Sequence, residues 1–305
     1  MPQRRSRRPR DIHGILLLDK PAGITSNAAL QTVKRLYHAR KAGHTGSLDP
    51  LATGILPICL GEATKISGYI LEADKYYRVV IKLGIKTSTG DAEGKVIDTR
   101  PVGNISAEML NDAVTTFLGP IEQVPPMHSA VKQNGQPLYK LAHRGIVVER
   151  KPRTVVIRNL NVIRFEGDLL EIDVHCSKGT YVRTLAEDLG EKLGCGGHIA
   201  ALRRLGVGLF ESDGMVTLDS LHAAADHGLE RLDTFLLPIQ SALANWPDIK
   251  LSRDIAYFVK KGQAVVVPHA PSRGLVKLYS GDSHFMGIGC ILDDGRVAPR
   301  RLVNL

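Results

Sequence analysis

Gly43-His-Thr-Gly-Ser-Leu-Asp-Pro-Leu-Ala-Thr-Gly54 is the stretch on which the reading of this chain turns. From Ala42 to Gly54 neither a helical nor a strand period appears, and Gly43, Gly46, Pro50 and Gly54 interleave with His44, Thr45, Ser47 and Asp49. A turn needs one or two polar residues, whereas here an imidazole, two hydroxyls and an acid crowd together between apolar runs. Backbone free of regular pairing can present the Asp49 carboxylate to a ligand. A single carboxylate in such a loop suits covalent nucleophilic catalysis, while glycoside hydrolysis uses two at a set separation. The ordinary alternative is a turn aspartate bonded to its own backbone. Asp91 and Glu93, between Thr87 and Lys95, read as a solvated turn. No DxD or HxxxH spacing surrounds Asp49, so no metal site is expected. Gly43-His-Thr-Gly46 lacks the length and the lysine of a phosphate-binding loop.

Outward from the loop, Gly14 to Leu18 and Ile55 to Leu60 read as buried strands. Pro21 and Gly23 turn the chain before Ser26, the expected N-cap of a helix with Leu30, Val33 and Tyr37 on its stripe and Lys34, Arg35 and Arg40 off it. Tyr76 to Leu83 reads as a strand, on which Tyr77 is an ordinary β aromatic. Ser106 caps a helix carrying Leu110, Ala113, Val114 and Phe117, stopped by Gly119. Residues 121–153 form an irregular basic excursion with one short helix near Leu138 to His143. Val155 to Val162 and Leu169 to Cys176 flank Gly167-Asp168 as a hairpin. Thr180 is the expected cap of the clearest helix, in which Val182, Leu185, Ala186, Leu189 and Leu193 recur at helical spacing up to Gly194. Tyr181 and Arg183 stand at its start, where a helix favours anions; the plainer reading is an exposed arginine.

The chain has 305 residues, enough for roughly two domains. Its 43% apolar and 23% charged residues are those of an ordinary globular protein. The net charge of +9 makes a polyanion the first partner to consider, and Arg4, Arg5, Arg7, Arg8 and Arg10 supply five of the nine. Residues 1–10 are therefore expected to be a disordered arm. Cys59, Cys176, Cys195 and Cys290 form no CxxC pair, which predicts reduced thiols. The apolar run Ile15 to Leu18 is too short for a signal peptide or a membrane span, so a cytoplasmic location away from membranes is expected. After Trp246-Pro247 short β-like runs appear, Ala264 to Val267, Gly274 to Tyr279 and Met286 to Leu292. The expectation is an α+β domain over 11–247 and a small β-barrel over 248–305.

Gly43 to Gly54, continuing through Lys65, resembles the catalytic motif of TruB-type tRNA pseudouridine(55) synthases. Asp19-Lys-Pro-Ala-Gly-Ile-Thr-Ser26, Lys75-Tyr-Tyr-Arg-Val79 and Cys176-Ser-Lys-Gly-Thr-Tyr-Val-Arg-Thr184 are similar to that family's other motifs in the same order. The likeness covers about residues 12–245, with a looser match to a PUA-like RNA-binding domain beyond. It implies a mixed, mainly antiparallel sheet flanked by helices, and isomerisation of one uridine in the T-loop of tRNA without metal or organic cofactor. A monomer whose partner is the tRNA T-arm, held in part by the 121–153 excursion, is expected. By resemblance Asp49 is the nucleophile, Tyr77 stacks on the target base, and Arg183 pairs with the aspartate. Tyr181 and Leu202 line the pocket, His44 fills the space that flipped bases vacate, and Lys20 supports the loop. Whether Asp49 attacks ribose or base, or a glycal forms, stays open. The alternatives are a guide-RNA-dependent synthase and a tRNA-binding or folding protein without catalysis. All these motif residues precede position 205, so the second domain is expected to be separable from the pocket.

Overall fold

The structure, a computed structural model, describes residues 9–129, 131–133, 135–142, 144–281 and 284–305. The expectations for Arg4, Arg5, Arg7, Arg8 and His143 lie outside the described residues. A ten-stranded sheet forms the body. Its main path runs through Val216–Thr217, Gly14–Lys20, Thr53–Leu60, Gly197–Val207, Lys75–Leu83, Leu169–Cys176, Arg153–Glu166 and Gly119–Gln123. Ala42–His44 adds to Thr53–Leu60, and Phe210–Glu211 to Gly197–Val207. Two pairings are parallel, Gly14–Lys20 with Val216–Thr217 and Thr53–Leu60 with Gly197–Val207; the others are antiparallel. The mixed, mainly antiparallel α+β architecture is thus the one expected.

Burial explains the strand patterns. Gly14 to Leu18 reads as an unbroken apolar run because both its faces are covered. Leu16 and Leu18 pack with Leu30, Val33 and Tyr37 of the helix Ser26–Leu36, whereas Ile15 and Leu17 join Ile239 and Leu243 on the other side. A third cluster forms where Leu185, Ala186 and Leu189 of the helix Val182–Lys192 meet Val79, Ile81, Ile172 and Val174. Leu110, Ala113 and Val114 of the helix Ala107–Thr115, capped by Ser106, belong to it too.

Beyond residue 247 the strands Asp248–Leu251, Leu275–Ser280, His284–Ile291 and Val297–Leu302 form a separate sheet. The helix Arg253–Lys260 lays Ala256 and Val259 on it. The pairing does not close into a barrel, because the outermost strands do not meet. The expected strand Ala264 to Val267 is reduced to one bridge, Val265 to Val297, with Val266 turned to solvent. The sheet is also not detached from the body. Phe285, Ile288 and Val303 share a core with Ile15, Leu17 and Leu243, and Lys65 Nζ donates to the Leu302 carbonyl at 3.0 Å.

Several local expectations are corrected. Thr25, not Ser26, caps the first helix, its side chain accepting from Ala28 N; the Ser26 hydroxyl is bonded elsewhere. Tyr181, not Thr180, is the N-cap of Val182–Lys192, and the Thr180 hydroxyl instead bonds the Ser177 carbonyl at 3.0 Å. Arg10 is not part of a free arm: its guanidinium grips Asp233 at 3.1 and 2.5 Å. The 121–153 excursion is less irregular than expected, since Gly119–Gln123 pairs with Arg153 to Ile157 and a small hairpin and the helix Leu138–Ala142 lie between. Among the described residues no helix is long and apolar enough to cross a membrane.

Candidate active site

The irregular part of the Gly43 to Gly54 stretch is pinned from beneath. The Ser26 hydroxyl accepts from Leu48 N at 2.7 Å and donates to Leu48 O at 3.0 Å. Lys20, fully buried, donates from Nζ to the carbonyls of Pro21 at 2.8 Å, Ile24 at 2.7 Å and Pro50 at 3.3 Å. Burial pulls its ammonium down to about 8, with Asp49 opposing the fall. Gly23 N also donates to Pro50 O at 2.9 Å, and Ala52 N to Asp49 O at 3.1 Å closes the turn that presents Asp49. At the far end only glycine fits. Gly54 has φ +97°, and a Cβ there would lie 2.2 Å from the Arg204 carbonyl oxygen.

Arg183, the second residue of the helix Val182–Lys192, is buried rather than exposed, its side chain only 8% accessible. Its Nε lies 3.2 Å from Asp49 Oδ2, and its Nη1 3.4 Å from Asp91 Oδ2. Nη1 also donates to Thr89 O at 3.1 Å and Nη2 to His128 O at 2.7 Å. The fork thus holds two carboxylates and two carbonyls at once, which a lysine could not do. Burial pushes the Asp49 carboxyl above the usual range; Arg183 opposes this, Asp91 reinforces it, and Lys20 and His128 work against it.

Asp91 corrects the reading of its segment as a solvated turn. It is 3% exposed, and its Oδ1 accepts from the Thr89 hydroxyl at 2.6 Å and from Glu93 N at 3.1 Å. Of the segment's two acids, Asp91 and Glu93, only Glu93 is exposed. The segment is drawn inward because Ala92 N and Ile199 O, and Ile199 N and Gly90 O, bond it to the central sheet at 2.9 and 3.0 Å. Those long-range bonds leave no trace in a local pattern.

Tyr77 lies on the sheet face that carries Val79 and Ile81, packed against the cluster containing Leu48, Ala52 and Leu202. Leu202 sits opposite Val79 in register and is mostly buried. Burial pushes the Tyr77 phenol up, and the charge of Arg204 pulls against that. His44 ends the edge strand Ala42–His44, with a buried Nδ1 that has no partner among the described residues. Burial, then the charge of Arg204, hold its imidazole below the ordinary value. Tyr181 is half-buried, its N–H donating to Gln123 Oε1 at 3.0 Å. The structure thus brings Asp49, Arg183 and Lys20 into one electrostatic cluster, sets Tyr77 and Leu202 against its loop, and adds Asp91 and Arg204. A second arginine, directly after Arg203 late in a largely apolar strand, was the signal available for Arg204. Lys132, Lys140, Arg144, Lys151 and Arg153 of the excursion are exposed.

Residues 34–182 match the N-terminal domain of the TruB family pseudouridylate synthases. Residues 183–244 match the tRNA pseudouridylate synthase B C-terminal domain, and 247–303 the C-terminal region of pseudouridine synthase II TruB. A protein of Nitrosococcus oceani, named tRNA pseudouridine synthase B, is 54% identical over 99% of this chain and 98% of its own length. The chain belongs to the TruB family. A like-named protein of Coxiella burnetii is 52% identical over 97% of this chain and 96% of its own length. Another, from Stutzerimonas stutzeri, is 54% identical over 97% of each. The TruB fold extends to a chain of the crystallised Cbf5-Nop10-Gar1 complex, with a TM-score of 0.72 at 27% identity over 92% of this chain and 78% of that one. A chain of an H/ACA ribonucleoprotein bound to a substrate RNA containing 2'-deoxyuridine shares the fold, with a TM-score of 0.73 at 23% identity over 95% and 84%.

Proposed function

We propose that this chain isomerises the uridine at position 55, in the T-loop of tRNA, to pseudouridine with Asp49 as its nucleophile. Conversion of tRNA uridine to pseudouridine is the activity of the family to which the chain belongs. The observation that carries the finer reading is the Arg183 fork on Asp49 at 3.2 Å, at the mouth of a loop pinned from below. The reaction cleaves an N-glycosidic bond, turns the uracil while enclosed, and rejoins it through carbon. No group is transferred to water, so one carboxylate kept ionised by a fixed cation suffices. The uridine must leave its stack, at a cost of a few kcal/mol that pocket contacts offset. In this reading Tyr77 stacks on the flipped base, Tyr181 and Leu202 line its pocket, and His44 fills the vacated space. Lys20 holds the loop to its carbonyls.

The exposed lysines and arginines of residues 121–153 suit the phosphates of the T-arm. The segment 248–305 is read as a PUA-like RNA-binding unit divided from the rest near 247, and the enzyme as a cytoplasmic monomer. The guide-RNA-dependent alternative draws on the Cbf5 likeness at 27% identity. Relatives at 52–54% named as tRNA enzymes favour the reading without a guide. The test is mass mapping of pseudouridine in unmodified tRNA incubated with the pure chain alone. Modification confined to the T-loop uridine supports the proposal. No product without an added guide RNA, or product elsewhere, overturns it.

A further inference from the structure

We propose that Arg204 is a positioning residue of this site, setting Tyr77 and the Asp49 loop in one frame. The inference rests on the reading of Asp49 and Tyr77 as parts of the pseudouridylation pocket. Arg204 lies on the strand Gly197–Val207 where that strand has two different neighbours: it is opposite Gly54 in the parallel pairing and opposite Tyr77 in the antiparallel one. Its side chain is among the largest wholly buried ones in the chain, at 1% exposure. Nε donates to Ile55 O at 2.8 Å and Nη2 to Gly46 O at 3.1 Å, so one guanidinium ties together the two ends of the loop that presents Asp49. Its backbone presses on Gly54 from the same side.

The third neighbour is Tyr77, which Arg204 faces across the antiparallel pairing of their strands. A guanidinium has only N–H donors and accepts nothing. A hydrogen bond between the two side chains would therefore run from Arg204 to the Tyr77 oxygen. One residue thereby ties both ends of the loop and stands opposite Tyr77 on the neighbouring strand. A purely stabilising role does not account for the charge. Arg204 has no ion pair among the described residues, unlike Arg183 and Arg203. A buried cation without a carboxylate is costly, and an apolar side chain of equal volume would serve stability at least as well. The charge instead acts on the pocket, where it disfavours protonation of His44 and opposes the effect of burial on Tyr77.

The test uses the full chain with Arg204→Lys and Arg204→Gln, measuring far-UV circular dichroism, tRNA Kd and the single-turnover rate at saturating enzyme. Lysine keeps the charge and glutamine a planar donor, but neither reproduces the fork that reaches the Ile55 and Gly46 carbonyls together. Both variants are expected to keep the native spectrum and a Kd within about threefold of wild type, and to lose about a hundredfold or more in rate. Where Tyr77→Phe retains a measurable rate, Tyr77→Phe/Arg204→Gln should be slower than wild type by clearly less than the two separate losses multiplied. Multiplying losses, a near-normal rate, a loss confined to Kd, or loss of the fold in both variants overturns the proposal. Asp49→Asn run alongside separates the two readings. If Asp49→Asn retains turnover, the reading of the site fails; if it is inactive while both Arg204 variants are normal, only the role of Arg204 fails.

Discussion

At the scale of single residues the site is a contest between burial and compensating charge around Asp49. Its carboxyl sits above the ordinary range because desolvation outweighs Arg183. Raised in the folded state, it binds its proton more tightly there than in the unfolded chain, so its contribution to stability falls as pH rises through the folded value. Asp49→Asn is therefore expected to melt no lower than wild type at neutral pH, with the difference shrinking toward pH 4; melting curves at both ends check this. The same variant should lose turnover while tRNA binding changes less than about tenfold, since the amide keeps the shape but is no nucleophile. Retention of more than about a percent of the wild-type rate would remove Asp49 from its role. Arg183→Lys should lose most turnover despite keeping the charge, because an ammonium cannot hold Asp49, Asp91 and the His128 carbonyl together. Near-normal single-turnover rates would make the fork dispensable.

Among elements, the decisive contact is the parallel pairing of Thr53–Leu60 with Gly197–Val207, where Gly54 meets Arg204. Gly54→Ala would drive a methyl into a carbonyl at 2.2 Å from backbone that also has φ +97°. We expect a loss of roughly 3–5 kcal/mol in urea unfolding, at the upper end for single substitutions, together with loss of turnover. A change under about 1 kcal/mol would mean that the strands shift apart without penalty. The helix Val182–Lys192 was legible because its apolar residues recur at helical spacing over three turns. Its cap was not, and neither was that of Ser26–Leu36. A hydroxyl near a helix start bonds whichever backbone group tertiary packing brings closest. For Ser26 that group is Leu48, 22 residues away.

For the whole molecule, the sheet after residue 247 is bound into the body by apolar contact. Removing residues 248–305 would strip Phe285, Ile288 and Val303 from the core around Ile15 and Leu17. At about 1.5–3 kcal/mol for each buried side chain, the loss is several kcal/mol. The truncated chain is thus expected to melt well below the full one, and its single-turnover rate to fall only as far as its folded fraction does. Unchanged melting would show that the shared core contributes nothing. A rate that collapses in a fully folded truncation would show instead that the last sheet helps to shape the pocket.

Local order determined much here. The loop from Gly43 to Gly54 stands out because it breaks both periods while gathering polar groups. The strands and the Val182–Lys192 helix follow from alternation and helical spacing; Asp49 stands out in the loop itself, whereas roles for Tyr77 and Arg183 come only with the family resemblance. Only tertiary structure decided that Arg183 is buried, that Asp91 reaches it from the 88–95 segment, and that Arg204 spans the loop. Each of these depends on residues tens to over a hundred positions apart. The barrel expected after 247 failed for the same reason. Short β-like runs indicate strands, but whether the outermost ones meet depends on what packs against the sheet. Here a helix and the shared core cover it, and among the described residues its outermost strands do not pair with each other. Periodicity records which side of an element is apolar; it does not record what that side meets.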